Sequence, residues 1–238
     1  MRPSPGDNRI SMSTEISPLK VALRVAARRI AKITRARRPM EFPPYPISVA
    51  QRIEQYHDDV RYATLALAIE RLDQEQTPGA FAEIGVYRGV TSSFIHRQAP
   101  GRRFFLFDTF EGFPEQDVAG AADDRFKDTS QASVTSLLGD THNIVFRKGY
   151  FPDTAAGLES ERFALVMLDV DLYRPALEVL RFFYPRMVRG GYFFMHDFNS
   201  PESERGISQA AREFLADKPE LLVEIPDYHG SALFRRLG

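Results

Sequence analysis

The chain of 238 residues has no cysteine and no tryptophan. Without thiols, disulfides, thiolate nucleophiles and cysteine-ligated zinc are excluded together. Long apolar runs are missing as well, since none approaches the roughly 18 residues of a membrane-spanning helix. Net charge is close to nil, at −1. No internal repeat is visible, and no low-complexity tract lies beyond the N-terminus, so a fibrous chain is excluded. What is there is ordinary globular composition, 43% hydrophobic and 26% charged. With 19 Phe and 9 Tyr, the core is expected to be rich in phenylalanine. At roughly 150 residues per domain, one domain with an appendage is expected.

The small net charge hides an asymmetry. Residues 1–40 carry ten Lys/Arg against two Asp/Glu, and the remainder carries 21 against 30. A nucleic-acid enzyme more often places its positive charge on the body. The acidic body therefore points to a small or neutral substrate and away from nucleic acid. Residues 1–46 are read apart, as a basic arm. Residues 1–17 are rich in Ser, Pro and Gly and are expected to be flexible. Residues 18–38 predict an amphipathic helix, with Leu19, Leu23, Ala26, Ile30 and Ile33 on one stripe. Lys20, Arg24, Arg28, Lys32 and Arg35 lie opposite. Such a helix can lie on an anionic membrane surface. Equally, it can pack on the body or on a second subunit of a homo-oligomer, and both readings stand open. It lacks the continuous apolar core of a secretory signal, and a cytoplasmic location is expected. Pro39, Pro43, Pro44 and Pro46 then form a stiff linker.

The body, residues 47–238, opens with a helical pattern over 48–74. Near-continuous apolar runs at 81–86, 103–108, 163–169 and 192–197 suit parallel strands buried on both faces. Residues 143–148 make a weaker fifth strand. Helical patterns at 91–98, 130–138, 175–184 and 206–217 alternate with them. This predicts an α/β fold, a doubly wound Rossmann-like sheet preceded by N-terminal helices. Residues 221–225 and 232–236 add a C-terminal antiparallel hairpin, for seven strands in all.

In open α/β sheets ligands bind beyond the carboxyl ends of the strands. Acids crowd those ends here: Glu83 in the first strand, Asp108 at the second, Asp169 and Asp171 after the fourth, and His196-Asp197 after the fifth. The segment Glu83-Ile-Gly-Val-Tyr-Arg-Gly89 has the E-x-G-x-x-x-G spacing. It is neither the G-x-G-x-x-G fingerprint nor a P-loop. An acid beside Gly85 and Gly89 suits a cationic or zwitterionic ligand, and Asp108 can accept both ribose hydroxyls of a nucleoside. Together they point to S-adenosylmethionine, with Thr91 and Ser92 opening the next helix on the same side. Two aromatic loops, at Phe110 and at Tyr150, are placed to cradle the adenosyl group, though core packing explains them equally well.

Asp108-Thr-Phe-Glu-Gly-Phe-Pro114, Lys148-Gly-Tyr-Phe-Pro-Asp-Thr154 and Leu168-Asp-Val-Asp-Leu-Tyr173 resemble successive motifs of the TylF/macrocin O-methyltransferase family. Tyr184-Pro185, Gly190-Gly-Tyr192 and His196-Asp-Phe-Asn199 extend the resemblance over roughly residues 50–236. It implies a class I S-adenosylmethionine-dependent enzyme that methylates sugar hydroxyls of glycans or natural products, typically with magnesium. The family's D-x-D motif maps onto Asp169 as metal ligand and Asp171 as general base. Its later acidic pair maps onto His196 and Asp197. Best-known members have Asp-Asp there, so His196 leaves the metal open between magnesium and manganese. It also leaves the base open between Asp171 and His196.

The other histidines, His57, His96, His142 and His229, are read as packing or surface residues. Residues 115–129 form an acidic loop, expected as a lid or as a solvated turn. Two further readings are kept: a catechol-like phenolic acceptor, whose vicinal oxygens would chelate the same metal, and a non-catalytic cofactor-binding protein docked through its arm.

Overall fold

The computed structural model describes residues 47–114, 125–201 and 205–238. The expected arm at 1–46, and residues 115–124 of the expected lid, lie outside them. In chain order the elements are α1 (Ile47–Ile53), α2 (Asp59–Gln74), β1 (Ala80–Ile84), α3 (Val90–Gln98), β2 (Phe104–Asp108), α4 (Gln131–Leu138) and β3 (Ile144–Lys148). They continue with β4 (Phe163–Leu168), α5 (Tyr173–Phe183), β5 (Met187–Met195), α6 (Gly206–Leu215), β6 (Val223–Glu224) and β7 (Ala232–Arg235).

The sheet has seven strands in the order β3-β2-β1-β4-β5-β7-β6. The first five run parallel. β7 pairs antiparallel with β5, and β6 with β7. Both faces of the sheet are covered, so β1 and β4 are buried at every position. Side chains alternate between two cores. Phe105 and Phe107 join one, while Phe104 and Leu106 join the other, as the two-residue period of a strand requires. Phenylalanine does fill the interior. Phe193 stacks on Phe234 at 5.1 Å, and Phe163 meets Phe183 edge-on at 4.8 Å.

Three boundaries differ from the expectation. The helical pattern over 48–74 is two helices, because Asp58 caps α2: its Oδ1 accepts the Arg61 N–H at 3.3 Å. β5 begins at Met187, five residues early, where Gly190 takes φ +84°. A Cβ on its neighbour Gly191 would lie 3.0 Å from the Ala164 carbonyl oxygen, so glycine there lets β5 press on β4. The strand expected at 221–225 shrinks to the two residues of β6. Because β1 lies between β2 and β4, the chain reverses its direction of travel across the sheet there. That switch point opens a crevice at the carboxyl ends of β1 and β4.

Candidate active site

On the β1 side the crevice is walled by backbone. Gly85 takes φ +88°, and a Cβ there would lie 2.0 Å from the Asp169 carbonyl oxygen. No side chain fits, so the loop after β1 touches the chain leaving β4. Gly89 takes φ +74° at the N-cap of α3, and a Cβ there would meet Val134 at 2.7 Å. Asp108 organises this loop. Its Oδ2 accepts the N–H groups of Val86 at 2.7 Å and Tyr87 at 2.8 Å. Its Oδ1 accepts the Phe110 N–H at 2.6 Å. Tyr87 and Phe110 are both left-handed, and these bonds hold them so. A carboxylate offers about four lone-pair positions; three are taken, which leaves room for one ribose hydroxyl. The residue expected as a ribose acceptor is also the anchor of the glycine loop.

Glu83 is buried and accepts a hydrogen bond from the Ser92 hydroxyl, itself fully buried. Burial pushes its carboxyl up to about 8, against the opposing pull of Ser92. Thr91 is buried one residue earlier, and its Oγ1 lies 3.2 Å from the Tyr62 hydroxyl on α2. Phe110 is buried with Phe94 and Val134, so it supports the loop from beneath. Tyr150 is half-buried just past β3, and the preceding Gly149 N–H donates to the Asp108 carbonyl at 3.0 Å.

On the β4 and β5 side the crevice is walled by charge. The Asp169 N–H donates to the Ile84 carbonyl and the His196 N–H to that of Leu168, each at 2.9 Å. Both residues thus sit one step past their strands. Asp171 (φ +61°) and Asp197 (φ +52°) are left-handed, a conformation that aspartate tolerates better than most residues. Carboxylate oxygens of Asp169, Asp171 and Asp197 all lie within 4.8 Å of one another. His196 Nδ1 lies 2.9 Å from Asp169 Oδ1 and 3.3 Å from Asp197 Oδ2. Its Nε2 is buried and makes no hydrogen bond among the described residues.

These contacts set the protonation states. Burial alone would lower His196, but the charge and hydrogen bond of Asp169, then Asp197, push it up to about 10. Burial would raise Asp197; hydrogen bonds from His196 and His229 override it and hold the group well below the usual carboxylate range. Among the described residues no imidazole offsets Asp171 in this way; burial, then the charge of Asp169 and the hydrogen bond and charge of Asp197, push it up to about 8 against the pull of Arg125. The described cluster is therefore an imidazolium between two carboxylates, with a proton-holding carboxyl beside it.

Sequence reasoning missed two residues. His229 joins the cluster, with Nδ1 2.9 Å from Asp197 Oδ1 and its ring 5.0 Å from that of His196. From sequence it reads only as a packing or surface residue of the terminal turn. The antiparallel pairing of Ala232 with Met195 folds the preceding turn back over the end of β5. Arg61 is the other, in the first turn of α2, with Tyr62 leading to Thr91. His57 and His142 are exposed as expected, His142 paired with Asp140 at 2.8 Å, and His96 is buried within α3. A hollow of about 750 Å³ at the opposite, amino edge of the sheet, beside Phe81 and Arg102, holds none of the predicted residues.

The chain matches the family described as Macrocin-O-methyltransferase (TylF) over residues 57–220. It belongs to this family. The match takes in every predicted site residue and stops short of His229. This macrocin O-methyltransferase family member is 30% identical over 158 residues to the 8-demethyl-8-(2,3-dimethoxy-alpha-L-rhamnosyl)-tetracenomycin-C 4'-O-methyltransferase of Streptomyces olivaceus, across 58% of this chain and 60% of that protein. It spans 60% to 66% of the length of the curated relatives it matches. Among solved structures, the calicheamicin methyltransferase CalS11 superposes with a TM-score of 0.60 at 22% identity, over 98% of this chain and 99% of that one. The O-methyltransferase TomG of Streptomyces achromogenes, solved with S-adenosylmethionine, gives 0.52 at 16% identity over 83% and 92%. These two likenesses show the fold. No helix among the described residues is long and apolar enough to cross a membrane.

Proposed function

We propose that this chain transfers a methyl group from S-adenosylmethionine to a hydroxyl of a sugar, on a glycan or a glycosylated natural product, with a divalent metal assisting. The observation that carries this is the meeting, at the β1–β4 crevice, of a glycine-bounded loop with three convergent carboxylates. Family membership and a relative named for methylating a rhamnosyl natural product support the acceptor class.

Glu83, Gly85, Gly89, Thr91, Ser92 and Asp108 form the cofactor side, with Phe110 beneath them and Tyr150 at the rim. Asp169 and Asp197 fit a hard divalent ion, which takes oxygen ligands. His196 and His229 beside them would add nitrogen donors, which suit a softer ion such as manganese better than magnesium. When bound there, the ion supplies positive charge that makes a sugar hydroxyl more acidic.

The chain's own groups account for the rest. The hydroxyl oxygen attacks the methyl carbon as the carbon–sulfur bond breaks, its electron pair going to sulfur. Asp171, once it has released the proton it holds in the described cluster, accepts the hydroxyl proton as a carboxylate, and a group raised to about 8 has the proton affinity a base needs near neutral pH. Charge disappears as the reaction proceeds, so the half-buried cleft favours it over open water. Rigid strand ends hold donor and acceptor in line.

Calorimetric titration of S-adenosylmethionine and S-adenosylhomocysteine, with magnesium, manganese or EDTA, tests the cofactor and the metal. Mass-spectrometric detection of methyl transfer to glycosylated and phenolic acceptors then tests the substrate class. Failure of both cofactors to bind would sink the proposal.

A further inference from the structure

Arg61 is anomalous. It projects from α2 with most of its surface buried. A guanidinium carries five N–H donors and cannot shed its charge at ordinary pH. Among the described residues it makes one hydrogen bond, from Nη2 to the Tyr62 hydroxyl at 3.1 Å. Its Nε is buried with no partner, and no described carboxylate forms a direct ion pair with it. Its charge is felt by Asp169, Asp58 and Asp227, at longer range. Burial opposes this cation while Tyr62 and these carboxylates favour it, and its Cζ lies 4.7 Å from the centre of the Tyr62 ring; what stays open is its donors, the buried Nε among them, which suit a docked anion.

Its surroundings say where such an anion sits. The Tyr62 hydroxyl that Arg61 touches lies 3.2 Å from Thr91 Oγ1, in the first turn of α3, just past the loop from Gly85 to Gly89. The N-terminus of α2 is pinned over the crevice, because the Tyr228 N–H donates to Asp58 Oδ2 at 3.2 Å. Glu83 lies close enough for Arg61 to act on it electrostatically. An acid and an unsatisfied guanidinium facing one glycine loop are complementary to a zwitterion, the acid to its ammonium and the guanidinium to its carboxylate. Planar fork geometry suits a carboxylate in particular.

We infer that Arg61 binds the α-carboxylate of the amino-acid half of the methyl donor, and so fixes the direction in which the sulfonium methyl points. This rests on the cofactor reading proposed above. It adds a residue from the helix that precedes the sheet, which no strand-end motif contains.

The test compares two ligands that differ in that carboxylate alone: S-adenosylmethionine and decarboxylated S-adenosylmethionine. Each is titrated calorimetrically into the full-length protein, into Arg61→Gln and into Arg61→Lys, with thermal unfolding as a check on folding. Wild type should prefer S-adenosylmethionine by roughly 10- to 100-fold, the range expected of a charged hydrogen bond. Arg61→Gln should erase that preference while leaving affinity for the decarboxylated ligand within about twofold. Arg61→Lys should restore part of it. An equal loss for both ligands in Arg61→Gln would overturn the inference and make Arg61 a support for the pocket wall. A wild-type preference that survives Arg61→Gln would place the carboxylate elsewhere. If wild type binds neither ligand, the cofactor reading itself fails, and the inference falls with it.

Discussion

The two halves of the crevice solve opposite problems with the same residue types. On the β1–β2 half, acids are satisfied by the chain: Asp108 by three backbone N–H groups and Glu83 by Ser92. On the β4–β5 half, acids are satisfied by one another and by imidazoles. The first arrangement spends its carboxylates on shape and leaves little charge to move. The second keeps charge mobile, with protons on His196 and Asp171 that an incoming cation can displace. On the proposed function, one half holds the ligand and the other changes protonation during the reaction.

Substitution on the charged half should break that division most severely. Asp171→Asn keeps size and hydrogen bonding but cannot take a proton. Turnover should fall by roughly 10²- to 10⁴-fold, the range for loss of a general base. Affinity for S-adenosylmethionine should stay within about twofold, as read by calorimetry. Equal losses in both would mean that the halves are not separate.

Gly85→Ala attacks the seam between them. Its Cβ would fall 2.0 Å from the Asp169 carbonyl oxygen at φ +88°, so the loop, the chain leaving β4, or both must shift. Destabilisation of about 3 kcal/mol is expected, measured by denaturant unfolding, together with loss of cofactor binding. Wild-type binding in a stable Gly85→Ala protein would show that the seam is not part of the site.

The quiet half has a pH signature of its own. Glu83 moves from 4.5 in the unfolded chain to about 8 in the fold. Between those values the native state holds a proton that the unfolded state has lost. Stability contributed by this group is therefore greatest below pH 4.5 and declines as pH rises towards 8. Glu83→Gln should flatten that decline in thermal unfolding scans while weakening cofactor binding. The charged half is expected to behave differently if a metal binds there as proposed. A cation would expel protons from His196 and Asp171, so its affinity should rise with pH. Calorimetry in buffers of different ionisation heat should record the protons released.

Much of this was legible in the residues. Buried parallel strands announce themselves as short apolar runs, and the acid ending each run could be aligned with its neighbours before any coordinates. What was not legible depended on packing between distant segments. Nothing local in Arg61-Tyr62 distinguishes them from any helical surface. They matter because Asp58 caps α2 and pins it against Tyr228. His229 lies in a turn of ordinary composition and reaches Asp197 only because β7 runs antiparallel beside β5. Asp108 was correctly singled out as an acid at a strand end. That its oxygens serve the loop amides follows from left-handed Tyr87 and Phe110, and no spacing encodes those.

His229 supplies the mildest test of the division. It is half-exposed, with Nδ1 2.9 Å from Asp197 Oδ1, and helps His196 hold that carboxylate ionised. Unlike His196 it lies beyond the stretch matched to the family. Removing it in His229→Ala deletes one of the hydrogen bonds on Asp197 and leaves the other. A charged hydrogen bond at a partly exposed position contributes about 1 kcal/mol, which corresponds to roughly a fivefold fall in kcat/KM. Cofactor affinity should not move, because Gly85, Glu83 and Asp108 are untouched. A fall beyond about 100-fold, with cofactor affinity intact, would mean that His229 handles the reacting proton itself. The base would then belong to the C-terminal hairpin, and the division of labour would run between three segments of the chain.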